Sequence, residues 1–250
     1  MILNTKQRLT AALGLTILPA SAMDFRPIEL LPTQHTTENF MSFTYGIASN
    51  ASQDRLEKLI EKRLNSGSEK SRVDEQIWNL FGERWAVMFT DLSGFSRRVA
   101  DFGIIHFLQT IYESNRLLVP IIEEHSGILL KVEGDSLLVI FRRVDEAIEC
   151  AVAMQRCTKE YNRQRNKNEQ VLLCVGLGYG DVLRIGDSDV FGAEVNAASK
   201  LGEDTAKAHE ILVTGSVKKA ANGTKTSSFE AIDTVPPGAD SAYRLRYDEK

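Results

Sequence analysis

A chain of 250 residues, 43% hydrophobic and 26% charged, has the make-up of an ordinary globular protein. It is long enough for one domain with an extension or for two small domains. A net charge of −4 with no basic tail argues against a nucleic-acid partner.

Near the start, Lys6 and Arg8 precede an apolar run over residues 9–18, followed by Pro19-Ala-Ser-Ala22. That is the pattern of a secretory signal; the other reading is a short apolar helix or an unused upstream start, since Met23 follows at once. The run is too short to span a bilayer, and no other stretch is a candidate, so no membrane segment is expected. Residues 23–50 are rich in Pro, Thr and Ser without a sustained period and read as loop or extended arm. Leu56, Leu59 and Ile60 fall at helical spacing within 53–63, residues 66–71 read as a linker, and Val73, Ile77, Trp78 and Phe81 predict a second short helix.

From Trp85 the order becomes regular. A strand over 85–90 leads to a helix over 94–114, with a break before a second helix over 117–125. A hairpin follows, with strands over 128–132 and 136–141 around Glu133-Gly134. Alternation puts Ile128, Leu130 and Val132 on one face and Lys131 on the other. A helix over 144–163 carries a core stripe of Val144, Ala147, Ile148, Ala151 and Met154. A strand over 171–179, a loop over 180–189, a helix over 193–202 and a strand over 210–214 come next. A short helix and strands over 228–232 and 243–246 finish the chain. Strands alternating with helices, with one hairpin, predict an α+β fold with helices over a mainly antiparallel sheet. The three cysteines, Cys150, Cys157 and Cys174, are an odd number without metal-ligand spacing and read as reduced core thiols.

Two carboxylates stand out. Asp91 ends the first strand just before a helix, and Asp135 sits in the hairpin turn. Taken singly, the first reads as a helix N-cap and the second as a turn residue. Taken together on adjacent strands, they can share a pair of divalent cations that hold a nucleoside triphosphate for in-line attack at phosphorus. Asn196 and Lys200 lie four apart and share a helix face.

Three segments carry a resemblance. Phe89-Thr-Asp91-Leu-Ser-Gly94-Phe95-Ser96 follows the first strand, Lys131-Val-Glu-Gly134-Asp135 makes the hairpin turn, and Asp189 stands before Val195-Asn196-Ala-Ala198. In this order and spacing they resemble the catalytic domain of class III nucleotidyl cyclases, over about residues 84–215 with weaker similarity at the C-terminal strands. The resemblance implies a ferredoxin-like sheet covered by helices, an extension over 1–83 without a recognised sensor, and a cyclase domain over 84–250. It further implies that Asp91, Asp135 and the Leu92 carbonyl hold two Mg²⁺ or Mn²⁺ ions. Backbone N–H groups from Ser93 to Ser96, those of Phe95 and Ser96 among them, lie at the helix N-terminus and suit phosphate. Lys131 and Asp189 would read the base, Asn196 would orient the ribose, and Lys200 would stabilise the transferring phosphoryl group. The family usually has Arg at that last position, and Lys keeps the charge but loses the two-pronged donor. Many members also carry a phosphate-binding Lys where this chain reads residues 233–240 without a basic residue; Arg184 is the candidate substitute.

In such cyclases two antiparallel protomers build each site, so a head-to-tail C₂ homodimer is implied: the metal aspartates come from one chain, and Lys131, Asp189, Asn196 and Lys200 from the other. The Lys–Asp pair marks adenine in the family, yet cytosine and uracil offer the same pairing of ring acceptor or carbonyl with an N–H donor. GTP is least expected, because the family then usually has another residue at the position of Lys131. A chain with neither a membrane segment nor a recognised sensor resembles the small bacterial pyrimidine cyclases of Pycsar anti-phage systems, whose cyclic CMP or cyclic UMP activates a separate effector. The expectation is therefore a cytoplasmic cyclase of UTP or CTP, with adenylate cyclase as the alternative. A non-catalytic cyclase-like domain is disfavoured by the retention of Asp91, Asp135 and Asn196. The hairpin Glu133-Gly134-Asp135 lacks the Gly-Gly-(Asp/Glu)-Glu-Phe pattern of diguanylate cyclases.

Overall fold

The computed structural model describes residues 51–221 and 228–247, with only the backbone described for 95–98. The signal-like segment and the arm over 23–50 lie outside the described residues. Residues 51–65 form α1, a 3₁₀ turn spans Gly67–Glu69, and α2 spans Lys70–Phe81, so the expected linker shrinks to one turn. Strand β1 spans Gly82–Leu92, α3 Phe95–Phe102, α4 Ile104–Glu124, β2 Ile128–Glu133, β3 Ser136–Phe141 and α5 Val144–Asn162. Then come β4 (Leu173–Ile185), β5 (Asp189–Phe191), α6 (Ala193–Ser199), a π-helical turn (Lys200–Thr205), β6 (Ile211–Thr214), α7 (Gly215–Ala220), β7 (Ser228–Ile232) and β8 (Ala242–Arg246).

The sheet runs β2-β3-β1-β4-β6-β8-β7, with β5 pairing the far end of β4. All ladders are antiparallel except β4–β6. The order β1-α-β2-β3-α-β4 is the β-α-β-β-α-β ferredoxin-like unit, and the α+β expectation holds. Among the described residues no helix is long and apolar enough to cross a membrane.

Two boundaries differ from the sequence reading. The long helical stretch after β1 breaks at Gly103, not near residue 115, because Gly103 takes φ 84° and ψ 163°, a conformation that ends α3 and starts α4. Strand β4 runs on through the expected loop to Ile185. It stays extended because β1 pairs with it over 11 residues and β5 folds back on its end.

The sheet has a different cover on each face. Ala86, Met88, Leu137, Val139, Phe141, Val175 and Leu177 pack under α4 and α5, whose Phe107, Leu118, Ile122, Ile148, Ala151 and Met154 complete the main core. Buried amides pin α5 to the sheet: Gln155 Nε2 donates to the carbonyls of Leu173 and Glu210, at 3.1 and 3.2 Å. Asn162 exchanges two hydrogen bonds of 2.8 Å with the backbone of Val171. The cysteines form no disulfide, and burial pushes the Cys150 and Cys174 thiols up to about 12.

On the opposite face Trp85, Val87, Leu138, Ile140 and Val182 meet Val190 of β5 and Val195 and Ala198 of α6. Here β4 presents Gly176, Gly178 and Gly180 in alternation, opposite Phe89, Val87 and Trp85 of β1. A Cβ at Gly176 would collide with the Ala198 carbonyl and the Gly202 amide, and one at Gly178 with the Glu194 carbonyl. The glycines thus let α6 and the π turn lie backbone to backbone on the sheet. Gly178→Ala should force α6 outward and lower stability by about 1–3 kcal/mol. A denaturant midpoint unchanged from wild type would contradict this.

Candidate active site

The tight turn after β2 sets one half of the site. Gly134 takes φ 60°, which lets the chain reverse between β2 and β3 and places Asp135 beside the end of β1. On β1, alternation puts Trp85, Val87 and Phe89 on the α6 face, and Asp91 follows them there. The Asp91 and Asp135 carboxyls lie within hydrogen-bonding reach of each other, and both accept from the Leu92 backbone N–H. Ser136 adds a hydroxyl donor to Asp91. Burial first, and then the Asp135 carboxylate, push the Asp91 carboxyl up to about 6. Burial likewise raises Asp135, whose Oδ2 is buried without a hydrogen-bond partner among the described residues.

These features fit a divalent cation. Two half-buried carboxylates facing each other are costly, and positive charge between them would remove that cost. Hard cations take oxygen donors, and Mg²⁺ commonly uses one or two carboxylates with phosphate oxygens completing the shell. No cluster of three or more acidic, His or Cys side chains forms a protein-only metal cage among the described residues. Among the described residues, what the chain offers a cation at this spot is the two carboxylates of Asp91 and Asp135.

The other half joins Lys131 and Asp189. Their side chains form an ion pair of 2.5 Å, with Glu133 at 3.7 Å from the same ammonium. The Asp189 carboxylate beside it raises Lys131 above the ordinary lysine range. Asp189 Oδ1 also accepts from the Val190 N–H at 2.9 Å. In sheet order β3, β1 and β4 separate the two strands, so β4 and β5 must curl over the sheet face for the pair to form.

A second local device turns Lys131 to this face. The β2–β3 register pairs Leu129 with Val139 but Lys131 with Leu138, so Leu130 is an inserted residue. The expected sharing of one face by Ile128, Leu130 and Val132, with Lys131 on the other, is therefore wrong. Strict alternation from Ile128 would have carried Lys131 to the face covered by α4 and α5, opposite Leu137. The bulge returns it to the face of Leu138, where Asp189 lies. Lys131 and Asp189 line a cavity of about 110 Å³ with Phe89, Ser136, Leu138, Val190, Val195 and Glu203.

The remaining candidates lie elsewhere. Asn196 is exposed on α6 and donates to the Pro237 carbonyl at 3.0 Å. Lys200 is exposed at the start of the π turn and pairs with Asp204 at 2.7 Å. Both face outward, while Val195, Ala197 and Ala198 of the same helix are buried. Gly94, at φ 83°, opens α3 without a side-chain cap, which puts the backbones of Phe95 and Ser96 in its first turn. The Ser93 N–H donates to the Leu172 carbonyl at 2.8 Å, so it is not among the free donors expected there. Arg184 is engaged within the β4–β5 hairpin. It donates to the Gly186 carbonyl and to Asp187 at 3.1 and 2.6 Å, with its guanidinium 5.0 Å from the Trp85 ring centre.

Two acidic residues escaped the sequence reading. Glu194 accepts from the Tyr179 N–H at 3.0 Å and the Thr214 hydroxyl at 2.7 Å, tying α6 to β4 and β6. Glu203 lines the cavity, accepts from the Ser199 hydroxyl at 2.6 Å, and adds negative charge that raises both Asp91 and Asp135. Seven residues after Asn196, Glu203 would share its outward face on a regular helix; the π turn changes the phase. Glu194 did have a signal, since it lies over the period-two glycines of β4.

The chain was compared with known proteins. It is 33% identical over 117 residues to a putative adenylate cyclase 3 of Rhizobium meliloti (strain 1021), covering 46% of this chain and 20% of that protein. It is 29% identical over 159 residues to the serine/threonine-protein kinase pkn2 of Myxococcus xanthus, covering 64% of this chain and 19% of that one. The chain thus spans about a fifth of the length of these curated relatives. Among solved structures, an adenylate/guanylate cyclase/hydrolase from Silicibacter pomeroyi superposes with a TM-score of 0.56 at 22% identity, covering 67% of this chain and 99% of that one. The model of the adenylate and guanylate cyclase catalytic domain matches residues 82–238, which run from the first residue of β1 to the loop before β8 and include the Asp91–Asp135 and Lys131–Asp189 pairs. With more than half of its length matched, this chain belongs to the adenylate and guanylate cyclase catalytic domain family.

Proposed function

We propose that the chain is a nucleotidyl cyclase that converts a nucleoside triphosphate to a 3′,5′-cyclic nucleotide and diphosphate. The observation that carries this is the facing pair Asp91 and Asp135, with an unpartnered buried oxygen, beside the Lys131–Asp189 cavity. In the reaction the ribose 3′-oxygen bonds to the α-phosphorus as the bond to the bridging oxygen breaks. Diphosphate leaves with that electron pair, and the hydroxyl proton passes to solvent. Asp91, Asp135 and the Leu92 carbonyl would hold two divalent cations, Mg²⁺ or Mn²⁺, which when bound would supply the charge that eases ionisation of the hydroxyl and neutralises the triphosphate. The first turn of α3, at Phe95 and Ser96, offers N–H donors to phosphate.

Lys131 donates to the base and Asp189 accepts from it, so their mutual ion pair must open to admit the ring. Asn196 orients the ribose, and Lys200 offsets charge on the phosphoryl group. The outward placement of Asn196 and Lys200 supports a head-to-tail homodimer in which they, with Lys131 and Asp189 of the same chain, serve the partner's aspartates. The cyclic product would be read by a separate effector, and the site of action would be the cytoplasm, where triphosphates are. Arg184, engaged by Asp187 and Trp85, has the least support as a phosphate ligand.

For the base, Phe89 and Leu138 line the Lys131–Asp189 cavity and supply bulk of the kind a smaller pyrimidine ring needs to fill its pocket, which supports UTP or CTP. The relative named as a putative adenylate cyclase favours ATP as the second reading. Incubation with each of the four triphosphates and Mn²⁺, followed by mass analysis, should give cyclic CMP or cyclic UMP. Cyclic AMP as the main product would replace the pyrimidine reading, and no cyclic product at all would remove the cyclase reading.

Lys200→Ala should lower kcat by roughly 100- to 1,000-fold. Mixed with inactive Asp135→Asn chains it should recover activity, because a heterodimer rebuilds one intact site; mixtures no better than either variant would refute shared sites. In thermal melts at pH 7.5, Mn²⁺ should raise the wild-type midpoint. Asp135→Asn should melt higher than the metal-free wild type and lose the response to Mn²⁺; an undiminished response would place the cation elsewhere.

A further inference from the structure

The helices α1 and α2 meet the sheet at one place. Leu59 of α1 and Val73, Ile77 and Phe81 of α2 bury Ile185, with Leu56 and Leu183 packed against them. This cluster is separate from the main core under α4 and α5. Arg63 and Asp74 join the two helices by an ion pair of 2.5 Å. Gly82 caps α2 through its N–H to the Trp78 carbonyl, and it is also the first residue of β1, paired with Leu183. The pair α1–α2 is therefore coupled to the sheet without a linker.

What the helices grip is the stem of the β4–β5 hairpin. Ile185 is the ladder partner of Asp189, and three residues, Gly186 to Ser188, close the turn between them. On the neighbouring position Arg184 holds the turn through Gly186 and Asp187 and lies over Trp85. Asp189 reaches Lys131 only because this hairpin curls over the sheet. A ladder partner clamped in an apolar cluster fixes the backbone of the residue opposite, so the Asp189 carboxylate is presented to an incoming base at a set position relative to Lys131.

We propose that Ile185, held by α1 and α2, is the positioning residue for Asp189, and that residues 51–81 thereby set selectivity among bases. The proposal rests on the reading of Lys131 and Asp189 as the base-recognition pair. Loosening the clamp lets Asp189 drift from Lys131 and blurs the distinction between rings, whereas the metal carboxylates on β1 and in the β2–β3 turn stay in place. The effect falls on KM and on base preference more than on kcat.

The test compares the full-length wild type with Ile185→Ala, Ile77→Ala and Ile185→Val, and with Met154→Ala as a control from the main core. Each is assayed with the preferred triphosphate and the next best one. The expected result is a roughly tenfold fall in the ratio of the two kcat/KM values for Ile185→Ala, carried by KM. Ile77→Ala, on α2, should fall in the same direction. Ile185→Val should retain the wild-type ratio. Met154→Ala should lower the thermal midpoint without changing the ratio. If Ile185→Ala does not fold, Ile77→Ala decides the matter. An unchanged ratio in the folded clamp variants, or an equal fall in Met154→Ala, overturns the inference while leaving the cyclase reading standing. A wild type that makes no cyclic product removes both.

Discussion

Helix α6 lies with its backbone against β4, closer than any side chain there would permit. Gly176, Gly178 and Gly180 make this possible by removing the Cβ atoms that would strike Glu194, Ala198 and Gly202. The contact decides more than packing. It sets the height at which Asn196 and Lys200 stand above the sheet, and it brings Glu194 into reach of Tyr179 and Thr214. It also leaves a shallow space over Phe89 and Leu138 that the β4–β5 hairpin closes from the side. With side chains on β4, the helix would ride higher and that space would be wider and more open.

Within this frame the site is unbalanced by construction. On one side two carboxylates share a half-buried spot, with a third from Glu203 near enough to raise them both. On the other a single lysine is neutralised by Asp189. A protein that keeps negative charges together at the cost of burial is arranged for a positive ligand. On the proposed reading, the lysine closed on an aspartate receives a ligand that presents an acceptor beside a donor and so replaces both ends of the ion pair.

Membership in the adenylate and guanylate cyclase catalytic domain family rests on residues 82–238. The packing of α1 and α2 ties earlier residues to the same sheet, because Leu59, Ile77 and Phe81 bury Ile185 at the end of β4. The segment before β1 is thus in mechanical contact with the hairpin that carries Asp189. If Asp189 reads the base as proposed, selectivity belongs to the whole lever and not to the polar side chains alone.

Much of this was legible in the residues. The stripe from Val144 to Met154, the turn at Gly134 and the strand before Asp91 follow from periodicity and glycine, which are local properties. The meeting of Asp91 with Asp135 is of another kind, because it depends on the β1–β3 ladder that sets Thr90 beside Leu137. Other features depended on contacts far apart in sequence. The extension of β4 to Ile185 came from pairing with β1 and β5, the bulge at Leu130 from the register against β3, and the turn of Glu203 toward the cavity from the π turn on the glycine face. The sequence by itself determined which chemistry the chain carries: carboxylates, a lysine and the strands that hold them, because residue type and short-range period are written there. Only the tertiary structure decided which of these groups meet. Lys131 and Asp189 stand 58 residues apart in the chain, and the curl of a sheet whose twist accumulates over many strands brings them to 2.5 Å.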